Sequence, residues 1–467
     1  MKKLFFLCCF VLFINLTAQT LVTSDKKIDE AFKLAVSTID NNTHDGILAA
    51  GADYGGEWTR DISINSWNGV SLLRPKVAEK SLWSVTINKD TIGHQYWDKI
   101  IWVTGALNHF RVNGDTAFLK QAFLCSKNTI SQLEKIAFDK PYGLFTGPSV
   151  FNDGIAAYPV PIYDSTNSSS YVLDHPNSKS IKCLSTNCIY YSAYMSLYEM
   201  SKILNDGNGQ SKIFLDKAKE LKRNIRKYFY DAEKHRLNYL IDNTGHVADY
   251  QEGLGISFAI IFGVVNKTEA REIIRKVHVS RFGITSIYPD FPRYSAAKPG
   301  RHNNIVWPMV NGFWAQACKY SGELELFYNE LKNLTSLAVD PDKGNMNFRE
   351  IYNPYTGKPD GGWQSGKEWA SCNHQTWSAT AYLSMIFDGL FGLDFANNAV
   401  GFKPYLPKGL NQVEIRDLPY RSSKLNISMT GSGTSIESFS VNGKKSGKHF
   451  LIPQNRMTYN IEIKLKN

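Results

Sequence analysis

The sequence predicts a mainly α-helical (α/α)6 toroid followed by a small C-terminal antiparallel β-sandwich, on three observations. Apolar residues recur at helical spacing from about residue 28 to about residue 390. The helical segments number twelve and fall into six antiparallel pairs, with glycine at several of the turns between them. From about Val400 the pattern shifts to short alternating runs separated by Gly, Asn, Ser and Pro.

The chain has 467 residues, 43% hydrophobic and 13% aromatic, which is ample for a large core. It opens with Met-Lys-Lys, an apolar run from Leu4 to Leu16, then Thr17-Ala18-Gln19. These are the basic, apolar and small-residue parts of a secretory signal peptide, with cleavage expected after Ala18. The run is too short to cross a bilayer comfortably and no later run is long enough, so an exported product (periplasmic or secreted) with no membrane partner in its mature form is expected. Cys8 and Cys9 lack the small residue that a lipoprotein site wants before its cysteine, which argues against a lipid anchor. Losing Lys2 and Lys3 takes the formal charge from +10 to +8. The remaining Lys and Arg are dispersed among Asp and Glu, which argues for solvated faces and against a nucleic-acid partner. Cys125, Cys183, Cys188, Cys318 and Cys372 then remain, an odd set that does not make a disulfide framework. Cys183 and Cys188 could pair across a short loop or stay free, and no spacing resembles a metal site.

Ile28, Ala31, Phe32, Ala35 and Ile39 mark the first helix. Further helices are expected over about 60–73, 75–89, 97–113, 115–137, 185–205, 212–230, 251–263, 267–279, 303–320, 322–338 and 374–390. Phe214, Ala218, Leu221, Ile225 and Phe229 form the clearest stripe. Gly114, Gly207, Gly209, Gly263 and Gly322 stand where a helix end favours glycine. The expected division is a signal peptide over 1–18, the helical unit over 19–395 and the sandwich over 396–467. Strands in the last are marked by Val413-Glu-Ile-Arg, Leu425-Asn-Ile-Ser-Met, Ile436-Glu-Ser-Phe-Ser-Val and Tyr459-Asn-Ile-Glu-Ile-Lys-Leu, with a hairpin turn at Val441-Asn-Gly-Lys.

The connections leading into the even-numbered helices hold the unusual residues. They are Gly-Glu-Trp-Thr-Arg-Asp (56–61), Gly-His-Gln-Tyr-Trp-Asp (93–98), Gly-Pro-Ser-Val-Phe-Asn-Asp-Gly (147–154) with Leu-Ser-Thr-Asn (184–187), Asp-Tyr-Gln-Glu-Gly (249–253) and Arg-His-Asn-Asn-Ile-Val-Trp-Pro (301–308). The last is the long irregular stretch from Asn347 to Trp377, too rich in aromatics to be a disordered segment. If the pairs close into a ring, all six connections emerge at one end and line one funnel. Flat rings beside hydrogen-bonding groups suit a sugar, so an oligosaccharide or glycoside is the expected partner.

Cleaving a glycoside without a cofactor takes two carboxyl groups, one to protonate the leaving oxygen and one to attack or to activate water. The funnel candidates are Glu57, Asp61, Asp98, Asp153, Glu252, Glu350 and Glu368. Asp153 follows Phe151-Asn152, and an aromatic neighbour with partial burial would raise its pKa toward that of a proton donor; the structural alternative is a turn Asp bonding its own backbone. Glu350 lies between Phe348 and Tyr352 in a turn that could hold a base rigidly; alternatively it is a surface residue paired with Arg349 or a lysine. Glu368, beside Lys367 and Trp369, stays in contention. Arg60 and Asp61 could clasp sugar hydroxyls above Trp58, or simply open a helix. Asp98 beside Trp97 divides the same way, and Glu252 reads more readily as a first-turn carboxylate. Trp58, Trp97, Trp307, Trp363 and Trp377 are candidate stacking platforms or plain core. His94, His302 and His374 would be hydroxyl ligands, with no metal spacing among them.

Phe348-Arg-Glu-Ile-Tyr-Asn-Pro-Tyr-Thr-Gly followed by His374-Gln-Thr-Trp-Ser-Ala resembles the catalytic-base segment of the inverting (α/α)6 exo-glycosidases, the six-hairpin glycosidases that include trehalase, processing α-glucosidase I and mannosylglycerate hydrolase. Val306-Trp-Pro-Met-Val-Asn-Gly-Phe-Trp is similar to their Trp-Pro inner helix, and Leu184-Ser-Thr-Asn to the start of their middle helix at Asn187. Trp58-Thr-Arg-Asp is similar to the Arg-Asp pair with which glucoamylases grip the terminal sugar. The resemblance implies Glu350 as general base, Asp153 as general acid, and Arg60 and Asp61 as ligands of the terminal sugar. It implies an exo-acting, cofactor-independent, inverting hydrolase of an α-glycosidic substrate, with the two carboxyl groups about 6.5–9.5 Å apart. A glycoside phosphorylase or a polysaccharide lyase on the same barrel, or a non-catalytic glycan-binding protein, are the alternatives. The sugar, the linkage and the oligomeric state are not legible.

Overall fold

The structure is a computed structural model that describes residues 19–151, 172–175, 178–205, 209–290, 303–360, 362–364, 367–396, 399–452 and 456–466. The leader expected over residues 1–18, Gly207, and the functional candidates Asp153 and His302 lie outside these residues.

Among the described residues the apolar stripes become twelve helices in six hairpins. The outer, odd-numbered ones are α1 (Lys26–Asn41), α3 (Pro75–Ser84), α5 (Thr116–Ile136), α7 (Gln210–Phe229), α9 (Lys267–Ile274) and α11 (Leu324–Val339). The inner ones are α2 (Thr59–Asn65, continued through a π-turn at Ser66–Val70 into Ser71–Leu73), α4 (Ile101–Asn113), α6 (Leu184–Ile203), α8 (Gly253–Ile261), α10 (Pro308–Ser321) and α12 (Thr376–Ser384, continued by a π-turn at Met385–Phe391). Each inner helix packs on the next, and α12 packs back on α2, which closes the toroid. Outer helices bury one stripe only: in α7 it is Phe214, Ala218, Leu221, Ile225 and Phe229, the residues that the sequence pattern marks. Inner helices are covered on both sides, and every residue of the first part of α12 is buried.

Helix starts differ from the sequence expectation for local reasons. The tenth helix begins at Pro308 rather than near 303, because proline lacks the donor that a helix interior needs but fits the first turn. The third ends at Ser84 rather than near 89, since a two-residue-strand hairpin, Thr86–Ile87 with Thr91–Ile92, follows at once. The same device follows α1, α5, α7 and α9, and returns the chain toward the inner ring each time.

Two glycines set the spacing of the inner ring. A Cβ on Gly105 in α4 would stand 2.8 Å from the Ser63 carbonyl oxygen of α2, and one on Gly312 in α10 would stand 2.7 Å from the Ala381 Cβ of α12. Alanine is ordinarily the better helix former by about 1 kcal/mol. Here the backbone contact outweighs that preference, and Gly105→Ala or Gly312→Ala is expected to cost about 1–3 kcal/mol, read as a lower Tm in thermal unfolding.

The C-terminal strands form two facing sheets. The six-stranded one runs in the order Thr20–Thr23, Gln412–Tyr420, Ser423–Thr430, Thr458–Leu465, Ile436–Val441, Lys444–Lys445. The other joins Leu393–Phe395, Val400–Phe402 and His449–Phe450. Phe395 stacks on Tyr420 and Phe402 packs on Phe439, so both sheets cover a common apolar layer. Two details depart from the purely antiparallel, C-terminal unit expected. Ser423–Thr430 pairs with Thr458–Leu465 in parallel, and the first edge strand comes from the opposite end of the chain. The five cysteines Cys125, Cys183, Cys188, Cys318 and Cys372 are all buried free thiols, so Cys183 and Cys188 are not paired.

Candidate active site

The N-terminal ends of the inner helices gather the residues singled out above. Outer helices α1, α5 and α9 begin with Asp25, Asp115 and Asn266, whose side chains accept from first-turn N–H groups. Inner helices instead begin at Trp58, Cys183, Glu252, Trp307 and Gln375, each in extended backbone with no side-chain cap. Capping residues give way here to aromatic and hydrogen-bonding ones.

Arg60, in the first turn of α2, is the hub. It is 4% exposed, and its Nη1 donates to Asp98 Oδ2 (3.2 Å) and to the Val150 carbonyl (3.0 Å). Asp61 lies 3.7 Å from the same guanidinium, which stands 5.2 Å above the Trp377 ring. Trp377 meets Trp307 edge-on at 5.3 Å, and Trp307 meets Phe151 at 5.6 Å. Asp98, Arg60, Trp377, Trp307 and Phe151 therefore form one connected cluster drawn from several loops. Segment 148–151 is anchored further, since Thr186 donates to the Pro148 carbonyl, Val150 N–H donates to Ser185 Oγ and Ser149 meets the Tyr239 hydroxyl. Asp153 follows this segment and lies outside the described residues, so its separation from Glu350 does too.

Glu350 is 1% exposed, and its segment is braced on both sides. Glu350 N–H donates to the Cys372 carbonyl, Ile351 N–H to Ser371 Oγ, and Tyr352 exchanges two backbone bonds with Val306 beside Trp307. Burial, and after it the nearby Glu350 carboxylate, push the Cys372 thiol up to about 12. Arg349, the expected partner in the alternative reading, instead donates to Asn373 Oδ1. Asn373 in turn donates twice to Asp53 (2.7 and 2.9 Å), which locks the start of α12 to the loop before α2. Glu368 is exposed, on a short strand Lys367–Trp369 paired with Gly362–Gln364 that carries Trp363.

Other candidates separate by environment. Trp58 is 42% exposed and offers an open ring, with His94 edge-on at 6.4 Å. Trp97, Trp307 and Trp377 are at most 2% exposed, so they form the floor rather than open platforms. His94 Nδ1 accepts from Thr59 N–H, and burial lowers its pKa; burial also lowers that of His374, aided by Arg349. Asn187 commits both amide hydrogens to the Phe145 and Cys183 carbonyls and accepts from Phe145 N–H, the geometry of a scaffold residue. Among the described residues the indole N–H groups of Trp97 and Trp377, Gln375 Oε1 and Glu252 Oε1 are buried without a partner. Such groups are rare unless a ligand or water completes them.

Glu252 is fully buried, accepts from Ser185 N–H (3.1 Å), and is pushed up from 4.5 to about 8 by burial. A carboxyl raised on folding stabilises most below its unfolded pKa and loses that contribution as pH rises through its folded pKa. Glu252→Gln should therefore gain Tm relative to the parent as pH goes from 5 to 8, with the gap levelling off above. Equal Tm differences at both ends of that range would show that the carboxyl is ionised throughout.

The family described as mannosylglycerate hydrolase MGH1-like glycoside hydrolase domain matches residues 101–378. A comparison with curated protein sequences finds no match. Among solved structures, a sialidase matches 94% of this chain at 14% identity with TM-score 0.71. A GH78 family rhamnosidase of Bacillus sp. GL1 matches 96% at 12% identity and TM-score 0.65. The chain spans less than half of those two, 41% and 44% of their lengths. A GH63 mannosylglycerate hydrolase from Thermus thermophilus is matched over its whole length, against 76% of this chain, at 15% identity and TM-score 0.57. At these identities the likeness establishes the toroidal fold.

Proposed function

The chain belongs to the mannosylglycerate hydrolase MGH1-like glycoside hydrolase family, and from that premise we propose that it is an exported, exo-acting hydrolase that cleaves an α-glycosidic bond with inversion. The observation that carries the reading is the position of Glu350. It is buried, and backbone bonds brace its segment against the openings of α10 and α12, the helix starts that carry Trp307 and Trp377 of the cluster. Glu368 is exposed on its short two-stranded ribbon whereas Glu350 is buried, so Glu350 takes the role of base.

In this proposal Asp153, two residues beyond Phe151, protonates the glycosidic oxygen. Glu350 takes a proton from a water that attacks the anomeric carbon from the opposite face. Arg60, Asp61 and Asp98 hold the hydroxyls of the terminal sugar, while Trp58 covers the mouth of the funnel. The buried donors on Trp97 and Trp377 supply further hydroxyl contacts.

The test is a panel of aryl α- and β-glycosides and disaccharides, with the first-formed anomer followed by proton NMR. An α-substrate should release the β-anomer, without added phosphate. Early release of the α-anomer would overturn inversion, and strict phosphate dependence would convert the assignment to a phosphorylase. Asp153→Asn should lower the rate with alkoxide-like leaving groups about 10²–10⁴-fold and affect activated aryl substrates less, since these need little protonation.

A further inference from the structure

The far end of the toroid, where the inner helices finish against the C-terminal sheets, holds a cavity of about 1660 Å³. No residue weighed above for catalysis lines it. Along α6, Ser185 belongs to the catalytic end and Lys202 to this cavity, a helical rise of about 26 Å.

Its wall is built from the two π-turns of the inner ring, which contribute Trp67 and Asn68 from α2 and Phe387 and Asp388 from α12. π-turns recur at functional sites because they push side chains out of helical register. The Trp67 ring is backed by Phe262 at 5.8 Å and Phe313 at 5.0 Å, which holds it as a rigid plate. Asn68 is 1% exposed; its oxygen accepts a 3.4 Å bond from Gln316, and its amide nitrogen has no partner among the described residues. Tyr320, 52% exposed, stands at the mouth. An aromatic plate beside an unsatisfied buried amide fits a sugar, with an apolar face to stack and a hydroxyl to accept.

The charges decide which sugar. Each carboxylate in the lining already faces a cation: Glu199 pairs with Arg111 at 2.6 Å, Asp394 with Lys403 at 2.6 Å, and Asp388 feels the Lys319 ammonium. Lys319 itself is spent on the carbonyls of Asp388, Gly389 and Lys403. Lys202, Lys267 and Lys448 are exposed at the cavity and pair with no carboxylate among the described residues. We propose that this cavity is a second, non-catalytic binding site for a short acidic oligosaccharide. The sugar rings lie on Trp67 and Tyr320, and uronate-type carboxylates meet the unpaired lysines. The site goes beyond the proposed hydrolysis and does not depend on it.

The experiment is calorimetric titration of the full chain with trigalacturonate and, as the neutral control, maltotriose. Saturable binding of trigalacturonate is expected, weakened by added salt and at least about tenfold tighter than that of maltotriose. Tyr320→Ala and the pair Lys202→Glu with Lys448→Glu, all exposed positions, should each weaken it about tenfold while leaving hydrolysis rates unchanged. Trp58→Ala, at the opposite end, should leave the binding unchanged. The proposal is overturned by an absence of saturable trigalacturonate binding, by indifference to the Tyr320 and lysine substitutions, or by loss of binding in Trp58→Ala. Equal affinity for maltotriose would overturn the acidic selectivity. None of these outcomes bears on the anomeric test, so the two readings fail separately.

Discussion

Glu350→Gln should lower kcat by several hundredfold or more while leaving KM and thermal stability close to the parent. The amide is nearly the same size and shape as the carboxylate, so packing at a site 1% exposed is preserved. The backbone bonds that hold the segment, from Glu350 N–H to Cys372 and between Tyr352 and Val306, do not involve the side chain. What the substitution removes from the reaction is the capacity to accept a proton from water. A structural carboxylate at the same position would behave in the opposite way, with Tm falling and little specific loss of rate. Glu350→Asp keeps the base but withdraws it by about one bond length, and should lose less than the amide, because proton transfer depends steeply on reach. Glu368→Gln is the internal control: exposed on its short ribbon, it should change the rate by no more than a few-fold. Initial rates on an aryl glycoside, paired with melting curves, read all three. A rate for Glu350→Gln within a few-fold of the parent would remove it as the base and favour a glycan-binding role.

The toroid was legible because helical burial is periodic and local. Ile28, Ala31, Phe32, Ala35 and Ile39 mark α1 from the sequence alone and are among the residues buried in it. The hairpins after the outer helices also left a trace, in turn residues such as Asp45-Gly46 and Gly143 that adopt positive φ, but strands of two residues carry too little alternation to register. The candidate site was legible only as a set of loops. Asn187 and Glu252 open inner helices just as Asp61 does, and a polar residue there serves equally as scaffold or as ligand. What separates them is the partner, in Asn187 the Phe145 backbone, 42 residues away. Asp53 and Asn373 were missed for the same reason, since their contact spans 320 residues. The cavity at the far end was hidden altogether, because its wall takes a few residues from each of many elements.

Arg60→Ala should be the most destabilising single change at the site, costing about 3–5 kcal/mol. Asp61 and Asp98 are 3% and 2% exposed, and the guanidinium is a cation that both face. Removing it withdraws a guanidinium that both buried carboxylates face, takes a donor from the Val150 carbonyl and uncovers Trp377. If the cost comes from the lost guanidinium charge, Arg60→Ala with Asp98→Asn should be more stable than Arg60→Ala alone, a non-additivity that a double-mutant cycle measures directly. Arg60→Lys separates charge from shape. An ammonium restores the counter-charge, so part of the Tm should return. It cannot keep a cation over Trp377 while one nitrogen reaches both Asp98 and Val150, as the longer, planar guanidinium does. Activity should therefore stay low in Arg60→Lys even where stability recovers, because the hub that joins the loop of α2 to segment 148–151 has lost its geometry. Recovery of rate and Tm together would reduce Arg60 to a counter-ion, and the positioning of the segment that leads to Asp153 would have to come from Ser185 and Thr186 instead.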